Sequence, residues 1–171
     1  LIIGVAIAMM PESFLGERCI NGDHPVHYTR AHRLITDFLA DWQLKGWSHE
    51  FFAGYPHGYL YPIGGEGLVA LVYAGSLGSL TISQAYGVAM WLVYALRGYA
   101  VYRFTRTGFS RWVVLIAGLL FMTDPGSYRV GGWEYTFHYG VWPQTLSTSL
   151  GVLAMAYVPD IIRKQSWRPV A

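Results

Sequence analysis

Apolar and polar positions fall along this chain in blocks of helical length. Residues 1–10 (LIIGVAIAMM) are apolar throughout and predict the closing turns of a membrane helix. Residues 82–104, 110–124 and 141–159 form three further apolar blocks, predicted as spans because a crossing helix needs roughly 20 mostly apolar residues. Residues 68–80 (LVALVYAGSLGSL) are apolar but too short, and predict a short or half helix.

Residues 11–67 separate the first two blocks and predict a polar loop, within which 24–45 has its own period. Ala31, Leu34, Ile35, Phe38, Leu39 and Trp42 recur at helical spacing as an apolar stripe; Arg30, Arg33, Asp37 and Asp41 form a polar one. The pattern predicts an amphipathic helix lying along the membrane interface and stopped by Gly46. Pro25 suits the first turn, which makes Asp23 or His24 the expected N-cap. Residues 47–67 are dense in Gly, Pro, Trp, Tyr and His and predict an irregular loop with aromatic anchors at headgroup level. Residues 124–139 form a second polar and aromatic loop. The expected fold class is all-α: multi-spanning membrane helices with an interfacial amphipathic helix in the first external loop.

Composition supports a bilayer as solvent. Of 171 residues, 53% are hydrophobic and 13% charged, against about 25% charged in soluble domains. A formal charge of +2, evenly spread, gives no nucleic-acid signal. The single cysteine, Cys19, excludes an intramolecular disulfide and a cysteine-based metal site. The sequence opens inside an apolar run at Leu1, without a basic n-region or a small-residue cleavage site. It therefore reads as the amino-terminal fragment of one transmembrane domain, not as a chain opening on a signal peptide.

Charge selects a topology. If 68–80 returns to its own side, loops 11–67 and 124–139 lie together with five basic and nine acidic residues, a balance of −4. The other side then holds Arg97, Arg103, Arg106, Arg111, Arg163, Lys164 and Arg168 against Asp160, a balance of +6. That asymmetry matches the positive-inside rule and puts all six histidines outside. If 68–80 spans fully, the second loop moves to the cytoplasm. The charge bias favours the first arrangement, with the functional loops extracytoplasmic.

Candidate chemistry clusters in those loops. Asp23 is either a helix cap or a carboxylate able to act as general base or hold a divalent cation. His24, His27 and His32 are spaced i, i+3 and then i+5, which is no zinc signature; hydrogen bonding to headgroups or loops is the favoured reading. Arg30 and Arg33 lie on one stripe, placed either to grip a lipid phosphate or to pair with Asp37 and Asp41. His49, Glu50, Tyr55 and His57 suit carbohydrate recognition, and equally an interfacial aromatic belt. Glu66 borders an apolar segment, where a carboxylate needs a partner or a watery cavity. Glu134 and His138 sit in GGWEYTFHYG; Arg129 is either a structural partner for Glu134 or a phosphate-binding group.

These residues resemble a known pattern. Gly22-Asp23-His24, Trp47, Gly54-Tyr55-Pro56 and Tyr59-Leu60-Tyr61-Pro62 are similar to the first external loop of membrane C-type glycosyltransferases that use polyprenyl-phosphate sugars. The likeness is nearest to the 6-pyruvoyl-tetrahydropterin-synthase-related membrane domain family. The stretch Pro125 to Arg129 through Glu134 is similar to the loop carrying the second acid in oligosaccharyltransferase catalytic subunits. The resemblance covers roughly residues 1–160. It implies an integral protein of a prokaryotic plasma membrane, with an external active site that takes a lipid-linked sugar from the bilayer. In that scheme Asp23 is the catalytic or metal-binding acid and Glu134 the second, with Mg2+ or Mn2+ as the implied cofactor. Substrate contacts would come from His24, His27, Arg30, Arg33, His49, Glu50, Tyr55, His57, Arg129 and His138. The second loop departs from the pattern in having no Asp-x-Asp or Asp-Glu pair. The family name carries a pterin term, but no pterin-binding element is recognisable here. The alternative class is a transporter or a non-catalytic lipid-binding membrane protein. Transporters place ionisable groups mid-span, whereas here they concentrate in the loops, apart from Arg97 and the borderline Glu66.

Overall fold

The computed structural model describes residues 1–10, 21–49, 53–106, 108–126 and 132–165. It is mostly helical. Helix α1 (Ile2–Met9) is followed by α2 (His24–Arg33), a π turn (Leu34–Phe38) and a 3-10 turn (Leu39–Asp41). Strands β1 (Gly46–Ser48) and β2 (Tyr55–His57) come next, then α3 (Gly64–Gly75), α4 (Ile82–Thr105), α5 (Arg111–Thr123), a second π turn (Glu134–His138) and α6 (Trp142–Gln165).

Helix α4 is the axis, packed by α1, α2, α3, α5 and α6. Its sequence dictates this role. Ala85, Tyr86, Gly87, Ala89, Met90, Val93, Tyr94, Arg97, Gly98 and Ala100 are buried around much of its circumference, as expected of a helix without one dominant apolar face. Thr81 and Gln84 close a reciprocal capping box at its start. Gly98 lets α5 approach closely: a Cβ there would strike the Met122 thioether.

Among the described residues one helix is long and apolar enough to cross a membrane, Trp142–Ile162 within α6. Its outer surface is bare apolar side chain, including Leu150, Met155, Val158, Ile161 and Ile162. Helix α4 matches α6 in length at 24 residues, but Gln84, Arg97, Arg103 and several tyrosines are spread along it and leave no 18-residue stretch as apolar as the one in α6. Helices α3 and α5 have 12 and 13 residues, about 18–20 Å of rise against a hydrocarbon core of about 30 Å.

Two sequence expectations are corrected. The stretch 24–45 is not one amphipathic helix ending at Gly46. Regular α-helix stops at Arg33, and Trp42, with φ +57°, ends the turns that follow. Of its polar stripe only Arg30 is buried; Arg33 is half-buried and Asp37 and Asp41 are exposed, as an outward face requires. His24, His27 and Arg30 are buried with Ala31, Leu34 and Phe38, while Trp42 is 96% exposed. His24 and Arg30 face inward because partners wait there. The loop 47–67 is also not wholly irregular: β1 and β2 pair antiparallel, Gly46 opposite His57, Trp47 opposite Pro56 and Ser48 opposite Tyr55.

Candidate functional site

The first turns of α2 are locked to the segment before α6. The Asp23 N–H donates to the Tyr139 carbonyl at 2.8 Å. Gly22 and Gly140 both have positive φ, and a Cβ on Gly22 would strike that same carbonyl. A Cβ on Gly140 would lie 2.6 Å from the His24 nitrogen. Only glycines permit so close a backbone approach.

His24 completes the junction. Its Nε2 bonds the Phe137 carbonyl, which only accepts, so this nitrogen carries the proton. Burial holds His24 below the usual histidine range, leaving a neutral ring. Nδ1 then accepts from the Tyr86 hydroxyl at 3.0 Å, and that oxygen accepts from Trp142 Nε1–H at 2.9 Å. Trp142, Tyr86 and His24 thus form a buried chain of donors joining α6, α4 and α2. Both ring nitrogens of His24 are used inside the protein, which corrects its expected place among the substrate contacts.

Beside this junction lies a cavity of about 590 Å³, lined by Asp23, Val26, His27, Arg30, Ala53, Gly54, Tyr55 and Tyr61. Asp23 occupies the N-cap position, but its backbone is near-helical (φ −86°, ψ −2°) and its side chain accepts no helix N–H. A capping side chain needs extended backbone at that point. Asp23 thus holds the expected N-cap position without a side-chain cap, and its carboxylate is exposed on the cavity wall.

Arg30 is the charged element of the wall. It is 4% exposed, with its guanidinium 4.4 Å from the Tyr61 ring centre and 5.5 Å from that of Tyr55. Its Nη2 reaches the Tyr61 carbonyl at 3.4 Å. Its Nε lies 2.8 Å from Glu66 Oε1, and Glu66, in the first turn of α3, is 2% exposed. Neither that nitrogen nor either Glu66 oxygen makes an aligned hydrogen bond. The pair is held by charge and proximity alone. Burial raises the Glu66 carboxyl above its ordinary range despite Arg30. His27 is held down to about 4, first by burial and then by Arg30. It is a neutral imidazole at neutral pH, with Nδ1 buried and unpartnered.

The remaining candidates are scattered. Arg33 lies on the outside and pairs with Asp37 at 2.8 Å, so it does not share a phosphate grip with the buried Arg30. His49 joins Arg33 and Asp37 around a separate basin of about 410 Å³. His57 is buried and stacked on Phe38, ring centres 4.8 Å apart; burial, then Arg30, lowers its pKa. Glu134 and His138 are exposed on the second π turn and do not line the Asp23 cavity. Glu50 and Arg129 lie outside the described residues.

Tyr61 and Glu66 complete the site. In the sequence Tyr61 lies within the aromatic motif and Glu66 is a carboxylate in need of a partner; that partner is Arg30. Tyr86 and Trp142 carried no sequence signal beyond being aromatic in apolar surroundings.

A divalent cation fits this wall poorly. It offers one carboxylate, a guanidinium that repels the ion, and one neutral imidazole. Among the described residues no three His, Cys, Asp or Glu side chains converge as metal ligands. What the wall does offer is a cation for an anionic group, ring faces for a sugar and a carboxylate for a proton. Comparison with protein-family models, with curated proteins and with solved structures finds no match to this chain.

Proposed function

We propose that this chain is a multi-spanning membrane protein of the glycosyltransferase type, taking a polyprenyl-phosphate-linked sugar on the extracytoplasmic side of a prokaryotic plasma membrane. The observation that carries the reading is Arg30: a buried guanidinium set under Tyr55 and Tyr61, on the same cavity wall as the exposed Asp23. Aromatic faces suit a sugar ring, and a guanidinium suits the phosphate that leaves it. The turns after α2, together with α3, also border an apolar groove of about 790 Å³, lined in part by Leu34, Leu39, Leu44, Ile63, Leu68 and Leu71. Such a groove suits a lipid tail next to the membrane.

The chemistry follows from these groups. Asp23 accepts the proton of the acceptor hydroxyl as its oxygen attacks the anomeric carbon. The bond from that carbon to the phosphate oxygen breaks, and the lipid phosphate leaves with the electron pair. Arg30 stabilises the charge that develops on it. Glu134, exposed on the second loop, has no part in this step.

The test is transfer from a labelled polyprenyl-phosphate sugar by membranes containing the full chain. Asp23→Asn is expected to abolish transfer while insertion and abundance stay unchanged. Wild-type turnover in that variant would remove Asp23 from the chemistry. A second reading, a lipid-binding or transport protein without transfer chemistry, draws on Arg97, buried within α4. It predicts donor binding that persists, without any transfer, in the wild type.

A further inference from the structure

Arg97 is a second buried cation, remote in sequence from the Asp23 cavity. It is 4% exposed, and its guanidinium sits 4.3 Å from the Phe121 ring centre. Its Nη1 is buried and makes no hydrogen bond. Among the described residues it forms no ion pair. Asp124, the acid that acts on it electrostatically, turns Oδ1 to the Gly126 N–H at 3.0 Å. A buried arginine without a carboxylate is costly in any apolar setting and calls for an anionic partner.

The space for one is present. Arg97 lines a cavity of about 270 Å³ enclosed by α4, α6, Phe121 of α5 and Tyr135 of the second π turn. That is several times the roughly 30 Å³ share of one water molecule. Across from Arg97, α6 supplies Gln144, Thr145, Thr148 and Ser149, spaced so that they share one helix face. Thr145 Oγ1 is bonded to Thr136 Oγ1 at 2.9 Å, and Thr148 Oγ1 donates to the Gln144 carbonyl at 3.0 Å. The Gln144 side chain brings amide donors, and Ala100, Val101, Val141 and Val152 keep the rest of the wall apolar.

We propose that this cavity binds a phosphate-class oxyanion, held by Arg97 with help from the polar face of α6. A tetrahedral oxyanion matches the fork of the guanidinium, and the apolar wall strengthens the attraction. The ligand is either free phosphate or a phosphomonoester lipid headgroup. The site stands on Arg97 and α6 and does not depend on the transferase reading.

The experiment uses the full chain in phosphatidylcholine nanodiscs. One arm titrates inorganic phosphate and follows 31P resonances; the other dopes the discs with phosphatidic acid and counts retained lipid by native mass spectrometry. Wild type is expected to bind one probe per chain saturably. Arg97→Gln is expected to bind at least roughly tenfold more weakly, the loss of one charge-assisted hydrogen bond, and Arg97→Lys to recover part of it. Binding of inorganic phosphate assigns a free ion; binding confined to phosphatidic acid assigns a headgroup. If Arg97→Gln fails to insert, Gln144→Leu and Thr148→Val carry the same expectation of weakened binding. Absence of saturable binding of either probe by wild type overturns the proposal, as does equal binding by wild type and the inserted variants.

Discussion

Arg30 Nε lies 2.8 Å from Glu66 Oε1, and neither side chain is more than 4% exposed. This ion pair ties α2 to α3 across 36 residues of sequence. Its stabilisation is conditional, because two desolvated charges offset each other only while both are present. Arg30→Met alone leaves Glu66 buried and unpaired, and is expected to cost about 3–5 kcal/mol. Arg30→Met combined with Glu66→Leu should recover most of that loss. Thermal unfolding of the two single variants and the double variant in detergent gives the coupling. Additive costs would mean that the pair contributes nothing as a pair.

His27 makes stability fall on acidification. In the unfolded chain it titrates near 6.5; in the folded protein it is held down to about 4 by burial and by Arg30. Between those values the unfolded state binds the extra proton. The native state is therefore fully favoured above pH 6.5 and loses ground as pH falls toward 4. The loss attributable to His27 is at most about 3.5 kcal/mol, at about 1.4 kcal/mol per pKa unit. His24 and His57 act in the same direction. Glu66 acts in the opposite one, since its raised pKa makes the native state the better proton binder as pH falls toward the ordinary carboxylate value. Comparing melting temperature against pH for wild type and His27→Gln isolates the histidine. The variant should show a flatter acid limb, and identical limbs would exclude His27 as the cause.

Under the proposed transfer reaction, chelation tests the charge logic of the cavity wall. One carboxylate beside a guanidinium favours phosphate neutralisation by Arg30 over neutralisation by a bound cation. Transfer by membranes washed with EDTA is expected to stay at the untreated rate, while Arg30→Gln lowers it by at least roughly tenfold, the order expected for one lost charge-assisted contact. Loss of transfer on chelation, restored by added Mg2+ or Mn2+, would return the leading role to a cation on Asp23.

The long helices were legible in the sequence because apolar runs of helical length have few other uses. Of the residues singled out by type, Asp23, His27, Arg30 and Tyr55 line one cavity. What the pattern misreads is direction. The polar stripe predicts an outward face, which Arg33, Asp37 and Asp41 keep, yet Arg30 turns inward to Glu66, as His24 turns inward to Tyr86. No local period reveals a partner 36 or 62 residues away. The hairpin escapes for a different reason: strands of three residues are too short to show an alternation. The scatter of Arg33, His49 and Glu134 follows from the same limit, since a loop's composition does not say which of its residues share a wall.

The Tyr86 hydroxyl is the joint on which the junction of α2, α4 and α6 turns. It accepts from Trp142 Nε1 at 2.9 Å and donates to His24 Nδ1 at 3.0 Å. Tyr86→Phe keeps the ring and its edge-on packing against Trp142 and Tyr28. It removes one oxygen and leaves a buried indole N–H and a buried imidazole nitrogen without partners. Each orphaned group costs about 1–3 kcal/mol, so the variant is expected to be destabilised by several kcal/mol although only one atom is lost. Because the His24 ring also holds the Phe137 carbonyl, loosening it should free the segment before α6 from Asp23. Amide exchange at Asp23, whose N–H is bonded to the Tyr139 carbonyl, reads this directly: faster exchange in Tyr86→Phe is the expected result. Unchanged protection at Asp23 together with an unchanged melting temperature would reduce Tyr86 to a packing residue.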